Sequence, residues 1–365
     1  MLNDQGRNVP ELFRPGETAQ TWEERRKELR SILEESIYGA FPKEKPEVES
    51  VITSVDNNAF GGKAVMTNAV IFVKAGDLAF KFPVVYAFPK SIPVVPVFAA
   101  LNFRANIPDV YFPAEEIIDN GFGFLSIFYK DVVNDDHFGN FLDGLGYAYY
   151  KGRKREDHEW GKIGMWAYAV QRAIDYLMTL PQVDKEHIMV SGHSRLGKTA
   201  LWTGATDERI YATFINNSGA GGAAILREKG GERIIDFIRR GSWDWYTENF
   251  KKYVGCEQDM PYDAHFTLSL IAPRLVCVGS STLDTGADPA SECLNCRISG
   301  AVWEKIYGKK GLVMPEGEAE PDTAYIDGSV GYQLRTGTHG FNRQDWNVYM
   351  EFAKRHIEAD KKKQA

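Results

Sequence analysis

One stretch decides the fold of this chain: Ile188-Met189-Val190-Ser191-Gly192-His193-Ser194-Arg195-Leu196-Gly197-Lys198. Its first four residues predict a buried strand, and the residues after Leu196 predict a helix. The serine at position 194 lies between two glycines, and glycine lets the backbone make a sharp strand-to-helix turn. A side chain on such a turn projects clear of the sheet. We therefore predict that Ser194 is a nucleophile.

The match to the usual nucleophile elbow of hydrolases is imperfect, because that pattern has glycine two residues after the serine. Leu196 occupies that position here, and Gly197 follows one place later. The alternative is an ordinary strand-to-helix turn in which Ser194 caps the helix and Gly192 relieves strain. To favour the nucleophile elbow over this alternative, the sequence after Ser194 must supply a base and an acid.

An elbow serine needs a base, and in this fold the order along the chain is serine, acid, histidine. Three of the seven histidines follow Ser194. His339 lies in a glycine-flanked loop between a predicted strand and the last predicted helix, which is where the base is expected. His356 lies at the charged end of that helix, where we expect it to face solvent, and we expect His265 to be structural.

The acid is predicted to follow a late strand, 274–279, whose carboxyl end opens into a loop with two aspartates. A carboxylate in that place reaches the histidine loop of an open α/β sheet. Asp284 is the preferred candidate. Asp288 precedes Pro289 and would serve equally well as the cap of a helix that begins there. The residues alone leave both aspartates open.

The remaining pattern predicts an α/β-hydrolase fold, a doubly wound and mostly parallel sheet in a three-layer sandwich, formed by a single domain over 1–365. An amphipathic helix over 21–38 begins a helical and β-rich lead-in of about 100 residues. A strong helix over 160–179 precedes the elbow. Strands are predicted over 48–55, 63–73, 78–87, 94–101 and 122–128. Right-handed crossovers place the elbow at the carboxyl edge of the sheet.

At this point the chain resembles a known family. The segment 192–198 is similar to the Gly-Cys-Ser-Arg-x-Gly-Lys signature of the glucuronoyl esterases, the fifteenth carbohydrate-esterase family, and especially of their bacterial, acetylxylan esterase-like branch. The resemblance runs from about Trp22 to the last helix. Supporting segments in the matching order are 128–133, 160–167, 217–224 and 270–274.

The resemblance implies a serine esterase that cleaves, through an acyl-enzyme, the ester between 4-O-methyl-glucuronoyl groups of xylan and lignin alcohols. Ser194 would be the nucleophile and His339 the general base. Arg195 would hold the oxyanion, as a fixed cation aimed at developing charge can do. Lys198 would bind sugar hydroxyls. The alternative for both cations is a solvated helix start.

Three positions depart from the family pattern. Asn217 stands where fungal members have the triad glutamate, whereas many bacterial relatives carry an aspartate in an Asp-x-Trp-Ala-Asp-Pro context that corresponds to 284–289. This comparison favours Asp284 as the acid. It also places Gly286 where relatives often have a tryptophan that lines the sugar pocket. His193 replaces a cysteine that forms a disulfide in many secreted members.

Two tryptophans, Trp243 and Trp245, are predicted to stack on a sugar ring, with packing between helices as the alternative. Two other functions remain open beside the uronoyl esterase. One is deacetylation of xylan or of another small carbohydrate ester. The other is a catalytically impaired homologue that only binds carbohydrate, for which Asn217 is the best support.

The composition of the chain indicates which classes of binding partner are not expected. With 43 Lys and Arg, 50 Asp and Glu and a formal charge of −7, nucleic acid is not an expected partner, and the basic run 151–155 is interpreted as a solvated loop. No apolar stretch approaches the roughly 18 residues of a membrane helix, so no membrane association is expected.

The first twenty residues lack the apolar core of a secretory signal. We therefore expect either a cytoplasmic protein or a secreted or periplasmic one that has already been trimmed. The four cysteines are expected to be free thiols, since Cys293 and Cys296 form a lone Cys-x-x-Cys pair. We expect no metal and no cofactor, and a monomer that acts on a carbohydrate ester.

Overall fold

The computed structural model describes residues 7–135 and 140–364. Its strands are β1 (Glu47–Asn58), β2 (Ala64–Ala75), β3 (Leu78–Pro89), β4 (Val95–Asn102), β5 (Gly123–Phe128), β6 (Val183–His193), β7 (Ala212–Asn216), β8 (Leu275–Ser281), β9 (Thr323–Tyr325) and β10 (Val330–Arg335). They form one ten-stranded sheet in the order β1-β2-β3-β5-β4-β6-β7-β8-β10-β9.

The middle of the sheet is parallel and its edges are antiparallel. Strands β5, β4, β6, β7, β8 and β10 pair in parallel, whereas β1, β2, β3 and β5 form an antiparallel series and β9 pairs antiparallel with β10. Parallel pairing requires crossover connections, which here contain helices. The carboxyl ends of the parallel strands, and the loops that follow them, therefore lie on one edge of the sheet.

Helices cover both faces of the sheet. They are α1 (Trp22–Leu33), α2 (Ala59–Gly62), α3 (Ala114–Asp119), α4 (Gly144–Tyr150), α5 (Lys162–Leu177), α6 (Arg195–Thr206), α7 (Ile234–Arg239), α8 (Ala264–Ser269), α9 (Pro289–Tyr307) and α10 (Arg343–Gln364). A π-helix, Glu34–Tyr38, follows α1 directly. Short 3-10 turns occupy Tyr129–Asp131, Trp243–Trp245, Glu248–Tyr253 and Glu257–Asp259.

The central strands alternate between two apolar layers, as the period of two in a strand requires. One layer packs under α5 and α6 and the other under α3 and α10. The first layer receives Val97, Val190, Ile215 and Val278 from β4, β6, β7 and β8. The second receives their neighbours Phe98, Met189, Phe214 and Cys277. These two layers confirm the predicted α/β-hydrolase sandwich.

Helix α5 is buried on nearly all sides, because every residue except Asp175 is buried. Such a helix belongs in the interior of a large domain. The predicted helix over 160–179 is thereby confirmed with slightly shorter bounds. The predicted helix over 21–38 is α1 followed by the π-turn, and Gly39, with a φ of 78°, ends it.

Two short strands, β7 and β9, were not predicted. Strand β7 has only five residues between α6 and a glycine-rich loop, so its apolar run is too short to identify from a pattern. No helix among the described residues is long and apolar enough to span a membrane.

Candidate active site

Ser194 is the single residue between β6 and α6. Its φ of 57° and ψ of −126° lie in a region that non-glycine residues rarely adopt, and its N–H donates to the carbonyl of Asn216 at 2.9 Å. Such strained residues cluster at functional sites. Gly192 makes the turn possible, because a Cβ there would lie 2.1 Å from the carbonyl oxygen of Leu196. The serine therefore stands on a sharp elbow at the carboxyl end of β6.

His339 lies between β10 and α10, and its Nδ1 is 2.6 Å from Oδ2 of Asp284. Asp284 follows β8, the parallel neighbour of β10, so both loops leave the same edge of the sheet. Because a carboxylate only accepts, Nδ1 carries the proton, and the lone pair of the neutral ring is on Nε2. Burial raises the pKa of Asp284, but the hydrogen bond and charge of His339 lower it below its ordinary value.

The other aspartate of this loop has a different contact. Asp288 is the N-cap of α9, and its carboxylate accepts from the N–H of Ser291 at 3.2 Å and from the N–H of Gly230 at 2.9 Å. Asp288 has a φ of 62°, in the left-handed region. Asp284 therefore contacts the histidine, whereas Asp288 caps a helix.

His193, the residue before the serine, supports the ring of His339. The two ring centroids are 4.5 Å apart, and Nδ1 of His193 is 2.7 Å from Oδ1 of Asn216. Burial, followed by the neighbouring His339, lowers the pKa of His193 to about 3. The imidazole of His193 is therefore neutral at pH 7. Tyr111 stacks on it with a centroid distance of 5.4 Å.

Arg195 begins α6 beside the serine. Its Nη1 donates to Asp135, and its Cζ lies 4.5 Å from the ring of Trp245. The indole Nε1 of Trp245 donates to the same carboxylate at 2.7 Å. The guanidinium is thus held by an ion pair on one side and by an aromatic face on another.

Lys198 lies one helical turn after the serine and is buried. Its Nζ donates to the carbonyl of Ser218 and lies 3.7 Å from the carboxylate of Glu232. Burial lowers the pKa of Lys198 to about 8, although Glu232 opposes the shift. The ammonium is therefore charged at neutral pH and loses its proton in mildly alkaline solution.

A cavity of about 580 Å³ lies beside Ser194. It is lined by Ser194, Arg195, Lys198, Asn217, Ser218, Gly219, Glu232, Arg240, Ser242, Trp245, Asp284, Gly286, Ala287 and His339. All predicted site residues are in this set except one. Trp243 lies outside the lining residues, with Nζ of Lys251 3.6 Å from its ring centroid. This placement does not support the predicted stacking of Trp243 on a sugar.

Two charged residues of the cavity, Glu232 and Arg240, were not predicted. They lie on either side of α7 and form an ion pair with each other. A third unpredicted residue, Glu292, is buried and holds the loop that follows β7. Its Oε1 accepts from the N–H groups of Ser218 and Gly219, each at 2.9 Å. No local signal in the sequence marks the contact between Glu292 and Ser218, since the two residues are 74 positions apart.

Asn217, at the position of the fungal glutamate, has a φ of 42° and donates from Nδ2 to Oγ of Ser281 at 2.9 Å. Across residues 7–135 and 140–364, no group of three or more His, Cys, Asp or Glu is arranged to hold a metal ion. Three of the four cysteines, Cys277, Cys293 and Cys296, are buried.

Known carbohydrate esterases resemble this chain over most of its length. Residues 71–307 match the family model described as glucuronyl esterase, fungi. Carbohydrate esterase MZ0003, from an unknown prokaryotic organism, is 31% identical over 93% of this chain and 86% of its own length. The 4-O-methyl-glucuronoyl methylesterase of Cerrena unicolor is 26% identical over 91% of this chain and 71% of its own.

Solved structures of esterases also resemble this chain. A promiscuous CE15 esterase from a marine bacterial metagenome is 30% identical, with a TM-score of 0.83 over 96% of this chain and 98% of its own. The glucuronoyl esterase from Solibacter usitatus is also 30% identical, with a TM-score of 0.85 over 95% of this chain and 97% of its own. Both likenesses span nearly the whole chain, and the family model spans more than half of it. The chain belongs to the glucuronoyl esterase family.

Proposed function

We propose that this protein is a serine esterase that hydrolyses the ester between 4-O-methyl-glucuronoyl groups of xylan and lignin alcohols. The observation that carries this proposal is the 2.6 Å contact between Asp284 and His339, in a cavity that Ser194 also lines. The family supports the substrate class, because curated relatives are named 4-O-methyl-glucuronoyl methylesterases.

The reaction begins with transfer of the Ser194 proton to Nε2 of His339. The freed Oγ attacks the ester carbonyl and forms a tetrahedral intermediate. Asp284 accepts from Nδ1 throughout, so it fixes the tautomer and stabilises the imidazolium. His339 then gives the proton to the oxygen of the departing alcohol, and the carbon–oxygen bond of the ester breaks.

The acyl-enzyme is opened by water. His339 takes a proton from the water as its oxygen attacks the acyl carbon, and it returns that proton to Oγ of Ser194 when the uronic acid leaves. Arg195 stabilises the negative oxygen of both tetrahedral intermediates, where a fixed cation has most effect in a sheltered site. No metal or cofactor is required for any of these steps.

The wall of the cavity favours a sugar acid over an acetyl group. Lys198, Glu232 and Arg240 present charged donors and acceptors to a space of about 580 Å³. An acetyl group offers no hydroxyls to such a wall. A sugar ring offers several, and hydrogen bonds to charged partners are the stronger ones.

The test is a kinetic comparison of benzyl glucuronate with an acetylated xylan fragment. We expect kcat/KM to be higher for the glucuronate ester, and turnover of both esters to be lost in Ser194→Ala. A preference for the acetyl ester would replace this function with deacetylation. No turnover of any ester by the intact protein would leave the carbohydrate-binding alternative.

A further inference from the structure

Asp135 has no part in the reaction described above, yet it lies directly behind Arg195. It follows the 3-10 turn Tyr129–Asp131 that ends β5, and its side chain is only 1% exposed. Both carboxylate oxygens are occupied, because Oδ2 accepts from Nη1 of Arg195 and Oδ1 accepts from Nε1 of Trp245 at 2.7 Å. A buried carboxylate with two charged or polar donors is held in one orientation.

Arg195 is surrounded on its other sides by aromatic rings. Its Cζ is 4.5 Å from the ring of Trp245 and 5.8 Å from that of Phe103. Within the described part of the chain, its buried Nε has no hydrogen-bond partner, so the ion pair with Asp135 is the directional contact that orients the guanidinium. The side chain keeps 24% of its surface exposed and lines the cavity.

We propose that Asp135 is a positioning residue, which aims the guanidinium of Arg195 at the oxyanion of the tetrahedral intermediates, with Trp245 bracing both partners. This inference rests on the proposed esterase function. An arginine side chain has many rotamers, and a donor helps most when it is already in place as charge develops. The carboxylate supplies that placement, and the stacked indole restricts rotation of the guanidinium plane.

This arrangement predicts different effects on kcat and on KM. The oxyanion exists only in the tetrahedral intermediates and the transition states that resemble them. A residue that improves its stabilisation therefore changes kcat and leaves KM nearly unchanged. A residue that only supports the fold would instead lower the melting temperature, or would alter activity regardless of what stands at position 195.

The experiment is a double-mutant cycle on benzyl glucuronate with the intact protein, Asp135→Asn, Arg195→Ala and the double variant. We expect Asp135→Asn to lower kcat on the order of 10- to 100-fold, as a misplaced catalytic group does, with KM within about twofold. In the Arg195→Ala background the same substitution should have no further effect on kcat. Asp131→Asn, on the same segment but exposed, is the matched control and should keep full activity.

Equal loss from Asp135→Asn in both backgrounds would overturn the proposal, as would a folded Asp135→Asn protein with unchanged kcat. Failure of the esterase function itself looks different, because the intact protein then shows no turnover. If Asp135→Asn does not fold, the Trp245→Phe variant tests the positioning role of Asp135 instead. It releases one oxygen of Asp135 while keeping an aromatic face, and we expect a smaller kcat loss that disappears when Arg195 is alanine. A loss that persists in that background overturns the proposal.

Discussion

The two parts of the cavity are built by different means. Ser194, Asp284 and His339, the strand-end group, lie directly after the parallel strands β6, β8 and β10. The 232–245 wall consists of α7 and a short 3-10 turn, and the ion pair between Glu232 and Arg240 links the two ends of α7. The sheet fixes the first group through backbone hydrogen bonds, whereas side-chain contacts fix the second.

This difference predicts how substitutions act. In the proposed mechanism the strand-end group makes and breaks bonds, so its removal should reduce kcat by large factors. The charged side chains Glu232 and Arg240 of this wall, together with Lys198, are expected to contact only parts of the substrate that do not react. Their removal should mainly raise KM, because such contacts are equally strong in the ground state and the transition state.

The largest effect is expected from His339→Ala. Without the imidazole, nothing takes the serine proton, and kcat on benzyl glucuronate should fall by about 10⁴-fold or more. His356→Ala is the control, since its Nε2 is 3.1 Å from the carbonyl of Gly328, which lies outside the lining residues of the cavity. Retained activity in the His339 variant would remove the strand-end group as the reacting part of the site.

A smaller but still large loss is expected from Asp284→Asn. An asparagine can favour the wrong tautomer of His339, and kcat should fall by up to about 10⁴-fold. The matched control is Asp288→Asn, in the same loop. Asparagine caps helices as well as aspartate and tolerates a positive φ, so kcat and the melting temperature should both be unchanged. Equal activities of the two variants would show that the acid assignment is wrong.

Lys198 should show its role as a pH dependence of KM. Its pKa is lowered to about 8 by burial, so the ammonium is charged at pH 7 and neutral at pH 9. We therefore expect KM to rise as pH increases through about 8, because the charged donor to the sugar is lost. In Lys198→Met, KM should be high and flat over that range.

The control for this experiment is Lys251→Met, which removes a lysine that packs on Trp243 outside the lining residues of the cavity. Its KM should follow the same pH curve as the intact protein. A pH-dependent KM in the Lys198→Met variant would assign the titration to another group.

The smallest effect is expected from Arg240→Met. Its side chain is 49% exposed, so solvent screens its charge, and we expect KM to rise by only about two- to fivefold with kcat unchanged. Arg239→Met is the matched control, because Arg239 pairs with Asp236 and does not line the cavity. A large fall in kcat from Arg240→Met would remove the distinction between the two parts of the cavity.

The difference between the two parts of the cavity also explains which site residues can be predicted from the sequence. Apolar runs mark the strands, and chemistry at strand ends follows from chain order, so the sequence predicts Ser194, His339 and one of two aspartates as a group. The choice of Asp284 over Asp288 comes from the family resemblance. Other contacts around the cavity join residues that lie far apart in the chain. Asp135 and Arg195 are 60 residues apart, and Ser218 and Glu292 are 74 residues apart, so no local pattern indicates either pair.

The two tryptophans show a second limit. Trp243 and Trp245 occupy one 3-10 turn, in which residues two apart point in different directions because the period is three residues. Sequence alone treated them as equivalent. In the structure only Trp245 lines the cavity, where it also braces Arg195.

The measurement that tests the strand-end group most directly is the rate at which a fluorophosphonate labels Ser194, followed by mass spectrometry of the modified peptide. This reagent needs only an activated serine and does not depend on which sugar ester is natural. We predict one adduct, on Ser194, formed rapidly in the intact protein and in Asp288→Asn, and much more slowly in Asp284→Asn. Equal labelling rates in all three proteins, or an adduct at another residue, would contradict the assignment of Ser194, His339 and Asp284 as one catalytic unit.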